Sequence, residues 1–200
     1  MATSAPLLLI PTASEREHLK HVAGRLPDGA ALCGLGPVAA AARTAGLLAS
    51  IRPPRVVLVG IAGTFDEDAF PMESAISFGR TAMDSGVPGL PAWPGDGATP
   101  AIDGPLDLAD GVDGALLLTV HRPSDGRDEV NARQARYPDA VGEDMEAWAV
   151  AFACAMADVP LQVARGASNV VGDRDRSNWR IVEALAAAWA LVKPRWDADS

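Results

Sequence analysis

The sequence predicts an α/β fold in which a single domain spans residues 1–200. Short apolar runs that are typical of strands alternate with longer runs that are typical of helices, and this alternation predicts parallel strand pairing. The length of 200 residues, with 48% hydrophobic and 22% charged residues, fits one compact domain with a sizeable core. We therefore expect one globular unit.

Strand–helix alternation begins at the start of the chain. The run "APLLLIP" precedes a predicted helix over 14–26, and "AALC" precedes a predicted helix over 37–50. A third strand-like run, "RVVLVG", leads into a glycine-containing turn. Three parallel strands are therefore expected from the first third of the chain.

The second half of the chain continues the alternation after a long interruption. Residues 80–113 are so rich in Gly, Pro and Asp that we predict an irregular loop region there. Long loops in compact domains are usually functional or disordered. The elements predicted after this region are a strand at 114–120, a polar helix near 127–136, the run "DAVG", an acid-headed helix over 144–157, the strand "LQVARGAS" and a closing helix over about 178–192.

The charge of the chain excludes several classes of partner. The 26 acidic residues against 17 Lys and Arg give a formal charge of −9, which argues against contact with nucleic acid or anionic lipid. The N-terminal "MATSAPLLLIPT" lacks the basic start and the length of a signal sequence. The apolar run "ALAAAWALV" is far shorter than the roughly 20 residues of a membrane helix. We expect a cytoplasmic protein with no nucleic-acid or membrane partner.

The residue types that hold metals or form disulfides show no such pattern. Cys33 and Cys154 lie in apolar stretches, which predicts buried thiols in a reducing compartment. His18, His21 and His121 form no His–x–x–x–His pair and no carboxylate-flanked cluster. We therefore predict no metal and no cofactor.

Two well-known sequence motifs are present only in incomplete form. Gly34, Gly36 and Ala39 fit the dinucleotide pattern Gly–x–Gly–x–x–Ala between a strand and a helix, but no acidic residue for the ribose follows before Asp66. The segment "GASNV" around Ser168 lacks the second glycine of a nucleophile elbow. Both a nicotinamide or flavin site and a serine hydrolase are therefore disfavoured.

Three separate pieces of the chain form a candidate constellation at the predicted strand ends. "PTASE" ends in Glu15, "VGIAG" contributes Ile61, Ala62 and Gly63, and "EDMEAW" leads through an apolar run to "VARGASN". Strand ends of this kind bind ligands in open α/β sheets. Glycines at such a place let a ligand approach the backbone closely.

The acids of "GEDMEAW" have two interpretations. Glu143 and Asp144 fit the first turn of a helix, because a helix N-terminus favours negative charge. Glu146 differs, because the following run is apolar on nearly every side and implies a buried helix. A carboxylate at the mouth of such a helix needs a partner, which is either another side chain or a polar ligand.

These pieces, in this order, resemble the nucleoside phosphorylase and nucleosidase superfamily over nearly the whole chain. In that superfamily a Met–Glu pair grips ribose, and a later Ser–Asp or Ser–Asn pair addresses the purine. Within it, "SNVVGDRDRSNW" together with the N-terminal "PTxxE" is most similar to the futalosine hydrolase family. The resemblance implies a three-layer α/β/α fold with a central mixed sheet, a homo-oligomer, and release of hypoxanthine from futalosine in the alternative menaquinone pathway.

The resemblance also implies a role for each matching residue. Glu15 is the candidate general base for water, with helix capping as the alternative interpretation. Glu146 would accept hydrogen bonds from the 2′- and 3′-hydroxyls, with Met145 packed on the sugar. Asn169 would donate a hydrogen bond to O6 or N7 of hypoxanthine, because an amide cannot protonate the base.

Five further residues are candidates for supporting roles. Ser168 and Arg165 would support the base site, although a structural ion pair is an equally good interpretation of Arg165. Arg174 and Arg176, with Trp179 as a stacking surface, would receive the benzoate carboxylate of futalosine. The alternative for this group is an ordinary solvated helix entrance.

Hydrolysis is favoured over phosphorolysis. Phosphorylases of this superfamily place an arginine two residues before the first glycine of the segment that resembles "VGIAG" and a hydroxyl just after it, where this chain has Leu58 and Ile61. Neither residue binds phosphate by charge or hydrogen bond, although Arg43 could contribute to an anion site. An inosine- or methylthioadenosine-type nucleosidase or phosphorylase and a non-catalytic nucleoside-binding module stay as alternatives. The presence of both Glu15 and Glu146 favours catalysis.

Overall fold

The computed structural model describes residues 5–84 and 104–197 and contains an eight-stranded mixed sheet with helices packed against it. The predicted α/β class with a central mixed sheet is confirmed. The strands are β1 Leu7–Ile10, β2 Ala31–Leu32, β3 Val56–Thr64, β4 Ala75–Asp84, β5 Leu106–Asp107, β6 Val112–Val120, β7 Ala140–Asp144 and β8 Leu161–Val170. The helices are α1 Ala13–Ala23, α2 Pro37–Ile51, α3 Gly126–Arg136, α4 Ala147–Ala155, α5 Ile181–Val192 and α6 Pro194–Asp197, with a 3-10 turn at Arg176–Asn178.

Helices cover the sheet on two sides, because the inner strands are apolar on both faces. In β1, Leu7 and Leu9 join the core cluster that contains residues of α2 and α4. Leu8 and Ile10 point the other way and join the cluster that contains residues of α1 and α5. Side chains alternate between the two faces of a strand, so a continuous apolar run is what a doubly covered strand requires.

The strand pairing is mixed, whereas the strand–helix alternation predicts parallel pairing alone. β1 pairs in parallel with β2 and β3, and β3 pairs in parallel with β8, as expected. The pairs β3–β7, β4–β5 and β4–β8 are antiparallel. Together, β3, β7, β6, β4 and β8 pair in a closed ring. This ring brings the ends of β3, β7 and β8 to one place.

The prediction of an acid-headed helix over 144–157 is wrong at its start. Glu143 and Asp144 belong to β7, Glu146 is the N-cap residue, and α4 begins at Ala147. Glu143 is held in the sheet opposite Gly63 of β3. The ladder bonds to β3 and β6 keep residues 140–144 extended, so tertiary pairing overrides the local preference for a helical backbone here. The Asp144 carboxylate nevertheless accepts from the Ala147 N–H over 2.9 Å.

The predicted glycine turn after "RVVLVG" is also wrong, because β3 continues through these glycines to Thr64. A strand was not predicted at Ala75–Asp84 either, although β4 pairs there with β6, β8 and β5. β4 occupies the start of the 80–113 region, and β5 and β6 occupy its end. Residues 85–103 lie outside the described residues, so the irregular loop and the single-domain assignment stay predictions.

Two further features of the chain bear on its class. No helix in the described part of the chain has both the length and the apolar character needed to cross a membrane. The predicted burial of Cys33 and Cys154 is confirmed, and both are free thiols. Burial raises the pKa of each thiol to about 12, so neither is a reactive nucleophile at neutral pH.

Candidate active site

A cavity of about 440 Å³ lies where the ends of β3, β7 and β8 meet. Every residue predicted for the site except Arg165 lines this cavity. These residues are Glu15, Ile61, Ala62, Gly63, Met145, Glu146, Ser168, Asn169, Arg174, Arg176 and Trp179. Segments far apart in the sequence therefore converge on one volume of a size typical of small-molecule sites.

Glu15 is a helix-capping residue and a cavity residue at the same time. Its backbone N–H donates to Thr12 Oγ1 over 3.2 Å, and Thr12 Oγ1 donates to Glu15 Oε2 over 2.6 Å. Oε1 accepts from the Ile61 N–H on β3 over 3.1 Å. The side chain is therefore fixed from two elements, and the residue is only 7% exposed. Burial raises the pKa of Glu15 above its usual value, against the opposing charge of Arg165 and these hydrogen bonds.

Arg165 lies behind the cavity wall in a fully buried ion-pair network. Its Nε and Nη2 donate to Asp144 Oδ2 over 3.1 and 2.6 Å, and Nη2 lies 3.4 Å from Glu146 Oε2. The other Asp144 oxygen accepts from Thr119 Oγ1 over 2.7 Å. Among the described residues, Nη1 has no hydrogen-bond partner. This geometry is that of a structural ion pair, placed where its charge acts on the cavity carboxylates.

Glu146 is a buried carboxylate in an environment that disfavours its charge. It is 4% exposed, and Oε1 accepts from the Gly36 N–H over 3.0 Å. Burial, followed by the neighbouring charge of Asp144, raises the pKa of Glu146 to about 7, although Arg165 and the Gly36 N–H oppose the shift. Because Oε2 has only a long contact to Arg165, it has room to accept hydrogen bonds from a polar ligand.

The hydrogen bond from the Gly36 N–H to Glu146 explains the glycine-rich loop before α2. Gly36 has a φ of 80°, which favours glycine, and this conformation precedes a helix that starts with Pro37. Its N–H points to Glu146 instead of to a pyrophosphate. The Gly–x–Gly–x–x–Ala pattern therefore belongs to the cavity and not to a dinucleotide site.

The amide of Asn169 has a fixed orientation. Its Oδ1 lies 2.9 Å from Ser168 Oγ, and its Nδ2 donates to the Val170 carbonyl over 3.0 Å. Ser168 Oγ also lies 3.2 Å from the Ala62 carbonyl. A carbonyl oxygen only accepts hydrogen bonds, so the Val170 carbonyl requires the NH₂ group on its side. One amide hydrogen then remains for a ligand.

The loop between β8 and α5 brings cationic and aromatic groups to the cavity. Arg174 and Arg176 are exposed, and the guanidinium carbon of Arg176 lies 5.3 Å from the centre of the Trp179 ring. The Trp179 ring N–H donates to the Asp173 carbonyl over 3.3 Å. The loop therefore presents a cation–aromatic pair at the cavity rim.

The family of the chain is decided by its sequence over residues 4–192, which matches the model of the phosphorylase superfamily. The chain belongs to this superfamily. A futalosine hydrolase of Streptomyces coelicolor is 36% identical over 185 residues, which are 82% of this chain and 77% of that protein. The resemblance to the superfamily and to its futalosine hydrolases is confirmed.

Solved structures of the phosphorylase superfamily share the fold of this chain. The 5′-methylthioadenosine/S-adenosylhomocysteine nucleosidase of Helicobacter pylori, solved with butyl-thio-DADMe-Immucillin-A, has a TM-score of 0.77 at 13% identity, with 98% of this chain and 99% of that chain covered. The native futalosine hydrolase of Helicobacter pylori has a TM-score of 0.74 at 13% identity, with 98% of each chain covered.

The two positions that the resemblance assigns to phosphate binding in phosphorylases carry apolar side chains in this chain. Leu58 is fully buried in the core, and Ile61 contributes a backbone N–H that Glu15 already accepts. Arg43 is not among the cavity residues and instead lines a separate cavity together with Arg16. In the described residues, no group of His, Cys, Asp and Glu side chains could hold a metal ion.

Sequence reasoning missed several residues that line this cavity. Asp144 does accept from the Ala147 N–H at the start of α4 over 2.9 Å, but sequence reasoning missed that it also holds Arg165. The same reasoning gave Glu143 no role beyond helix charge. Thr12 was visible inside "PTASE", where its spacing to Glu15 is that of a capping box. The apolar members carry no chemical signal that distinguishes them from core residues. The missed lining residues are Thr12, Ser14, Leu35, Val120, Pro123, Glu143, Asp144 and Ile181.

Proposed function

We propose that this protein is a futalosine hydrolase that uses water to cleave the N-glycosidic bond and releases hypoxanthine and dehypoxanthine futalosine. The observation that carries the proposal is the buried carboxylate of Glu15, fixed in the wall of the same cavity as Glu146 and Asn169. The 36% identity to a futalosine hydrolase supports the choice of substrate. A module that only binds nucleosides would not need Glu15.

Glu15 acts as the general base. Cleavage of an N-glycosidic bond passes through an oxocarbenium-like sugar, so the site must deliver water as the base departs. The water oxygen bonds to C1′, Glu15 takes a water proton, and the electron pair of the C1′–N9 bond leaves with the base as an anion. The base anion then takes a proton from solvent to give hypoxanthine, and Glu15 returns its proton to solvent. The raised pKa of Glu15 makes its carboxylate a better proton acceptor than an ordinary one.

Glu146 and Met145 hold the ribose. Vicinal hydroxyls donate two hydrogen bonds to one carboxylate, which gives a buried acid the partners that burial requires. Glu146 Oε2 is available for this purpose, while Oε1 is anchored by the Gly36 N–H. Met145 lines the same cavity and packs against the sugar. Arg165 positions Glu146 and balances the charges from behind.

Asn169 addresses the departing base. With its orientation fixed by the Val170 carbonyl and by Ser168, the second hydrogen of Nδ2 donates to O6 or N7 of a 6-oxopurine. The hydrogen bond strengthens as negative charge develops on the base, which is how it assists departure without a proton transfer.

The loop with Arg174, Arg176 and Trp179 receives the benzoate end of futalosine. A chain with a formal charge of −9 needs local cations to bind an anionic substrate. Both arginines are exposed at the cavity rim, and Trp179 is half-buried beside them. A guanidinium pairs with a carboxylate and an indole ring stacks on an aryl ring, so this loop matches both parts of a benzoate group.

The setting of the reaction follows from the same assignment. Water is the nucleophile, because Leu58 and Ile61 occupy the positions where the superfamily's phosphorylases bind phosphate. The product belongs to the alternative menaquinone pathway, and the enzyme works in the cytoplasm. We expect a homo-oligomer, as the family resemblance implies.

The test is an incubation of the purified protein with futalosine, inosine or methylthioadenosine, with and without inorganic phosphate. Chromatography separates free hypoxanthine or adenine from the nucleosides and distinguishes a free sugar from a sugar 1-phosphate. We expect hypoxanthine and a free sugar product from futalosine, at a rate that does not depend on phosphate. Release of base from methylthioadenosine alone, a sugar 1-phosphate, or no release of base overturns the proposal.

A further inference from the structure

A second buried ionic cluster lies beside the cavity and has no part in the mechanism above. Glu143 lines the cavity but is only 6% exposed. Its Oε1 accepts from the Ser124 N–H over 2.8 Å, and its Oε2 accepts from Ser124 Oγ over 2.6 Å and from Arg133 Nη1 over 2.8 Å. Both oxygens are therefore occupied by groups of the protein.

This cluster lies at the end of the cavity where the purine is proposed to bind. In the sheet, Gly63 lies between Glu143 of β7 on one side and Asn169 of β8 on the other. Pro123, the residue before Ser124, lines the cavity as well. The group that addresses the purine and the Glu143 cluster therefore flank the same glycine.

We infer that Arg133 is a positioning residue that neutralises Glu143. The purine can then leave with the electron pair of the C1′–N9 bond although Glu143 lies in the adjoining wall. The inference rests on the proposed function. Cleavage of the C1′–N9 bond places negative charge on the base, and an uncompensated carboxylate in the adjoining wall would oppose that charge. The Arg133 guanidinium at 2.8 Å cancels it. Arg133 acts through Glu143, because it is not itself a lining residue of the cavity.

The predicted kinetic consequence concerns turnover more than binding. The purine of the bound nucleoside is neutral, and the charge develops only as the bond breaks. An interaction that changes between ground state and transition state alters kcat, whereas KM reports the ground state. Loss of Arg133 should therefore lower kcat and leave KM nearly unchanged.

The helix α3, which carries Arg133, offers a matched control. Over its described length it buries no residue, and Arg133 and Arg136 both reach Asp84, over 3.1 and 2.7 Å. Arg136 therefore anchors the same helix to the same acid without touching Glu143. A variant of Arg136 tests helix anchoring alone.

The experiment compares steady-state kinetics on futalosine for the wild type, Arg133→Met, Arg133→Lys, Arg136→Met and the double variant Arg133→Met with Glu143→Gln. We expect Arg133→Met to lower kcat on the order of tenfold. Arg133→Lys keeps the charge and should retain most of kcat. Arg136→Met should stay within about twofold of the wild type, and the double variant should recover to a similar range because it removes both charges.

Provided that the wild type is active, three results would overturn the inference. They are an unchanged kcat in Arg133→Met, an equal loss of kcat in Arg136→Met, or no recovery of kcat in the double variant. Circular dichroism of each variant identifies misfolding. If Arg133→Met is unfolded, the kcat of Arg133→Lys still tests whether a positive charge at position 133 is sufficient. A wild type that cleaves no nucleoside overturns the proposed function, and this inference fails with it.

Discussion

At the scale of single residues, the two interpretations of Glu15, helix cap and proposed general base, are compatible in one geometry. Its backbone N–H and its Oε2 complete the hydrogen bonds of the Thr12 cap at the start of α1. Its Oε1 accepts a hydrogen bond from the Ile61 N–H in the cavity wall. A general base must be held in one position to work, and the helix cap supplies that restraint. Capping is therefore compatible with the proposed catalytic role of Glu15.

Glu15→Gln should lower kcat roughly 10²- to 10⁴-fold while KM for futalosine stays close to that of the wild type. A glutamine can accept from the Ile61 N–H, as the carboxylate does, so the fold should be retained, but it cannot take a proton from water. Hypoxanthine release under saturating substrate measures the change. Glu17→Gln on the same helix is the control, because Glu17 is exposed and pairs only with surface cations. Near-normal turnover of Glu15→Gln would remove Glu15 from the mechanism.

Asn169→Asp should lose activity on futalosine and gain relative activity on its 6-amino analogue. The change removes the amide NH₂ group and with it the hydrogen bond that Asn169 is proposed to donate to a 6-oxopurine. A protonated acid can donate a proton to N7 and can accept from an amino group with its other oxygen. The measurement is kcat/KM for both substrates in both proteins. A ratio that does not change between wild type and variant would show that Asn169 does not read the base.

At the scale of elements, β3 shows why its glycines are needed. A Cβ on Gly60 would lie 2.0 Å from Arg165 Nη1 and 2.8 Å from Glu15 Oε1. The strand passes directly beneath both charged groups, and no side chain fits between. Glycine at this place is therefore required by the side chains packed on the strand and not by a turn. The sequence pattern "VGIAG" marks a close approach to the backbone by the side chains of Arg165 and Glu15, and the predicted approach of a ligand stays a prediction.

Gly60→Ala should lower kcat/KM about 10²-fold or more, because the added methyl group displaces both Arg165 and Glu15 from their positions. Hypoxanthine release and thermal unfolding are measured together. Gly46→Ala in α2 is the control: its Cβ would meet nothing within 4 Å, and alanine should stabilise the helix by about 1 kcal/mol. Full activity in Gly60→Ala would contradict the proposed packing.

The predictable part of this molecule is the part governed by local periodicity. Apolar runs such as Leu7–Ile10 identify buried strands, because both faces of the sheet are covered. Glu143 and Asp144 could not be placed, since their extended conformation depends on ladder bonds to β3 and β6 from distant segments. Site residues came from a family resemblance. The network that holds them, with Asp144 on Arg165, involves contacts that no spacing in the sequence encodes.

At the scale of the whole molecule, an acidic chain buries four carboxylates in the wall of one cavity. The chain has a formal charge of −9, and the cavity wall contains the buried acids Glu15, Glu143, Asp144 and Glu146. Arg133 balances Glu143, and Arg165 balances Asp144 most closely. Glu15 and Glu146 are less fully compensated, and the pKa of each is raised, first of all by burial. The site is therefore held at a cost in stability, as functional sites often are.

The free energy of unfolding should therefore depend on pH, and the raised pKa of Glu146 determines the direction. Burial, followed by the charge of Asp144, raises that pKa from its ordinary 4.5 to about 7. Below pH 4.5 the group is protonated in both the folded and the unfolded chain. As the pH rises from 4.5 to about 7, the unfolded chain releases the proton that the folded chain retains, so the free energy of unfolding falls. Above that window the contribution is constant, and Glu15 acts in the same direction.

Glu146→Gln should therefore be more stable than the wild type at about pH 8 by up to roughly 3 kcal/mol, and the two proteins should converge near pH 4.5. Glutamine stays uncharged throughout and can still accept from the Gly36 N–H. Urea unfolding across this pH range measures the difference. Glu17→Gln is the control, because the hydrogen bond from Lys20 lowers the pKa of Glu17, so any stabilisation by Glu17 is lost as the pH falls. A stability difference between Glu146→Gln and wild type that is the same at every pH would show that burial does not raise the pKa of Glu146.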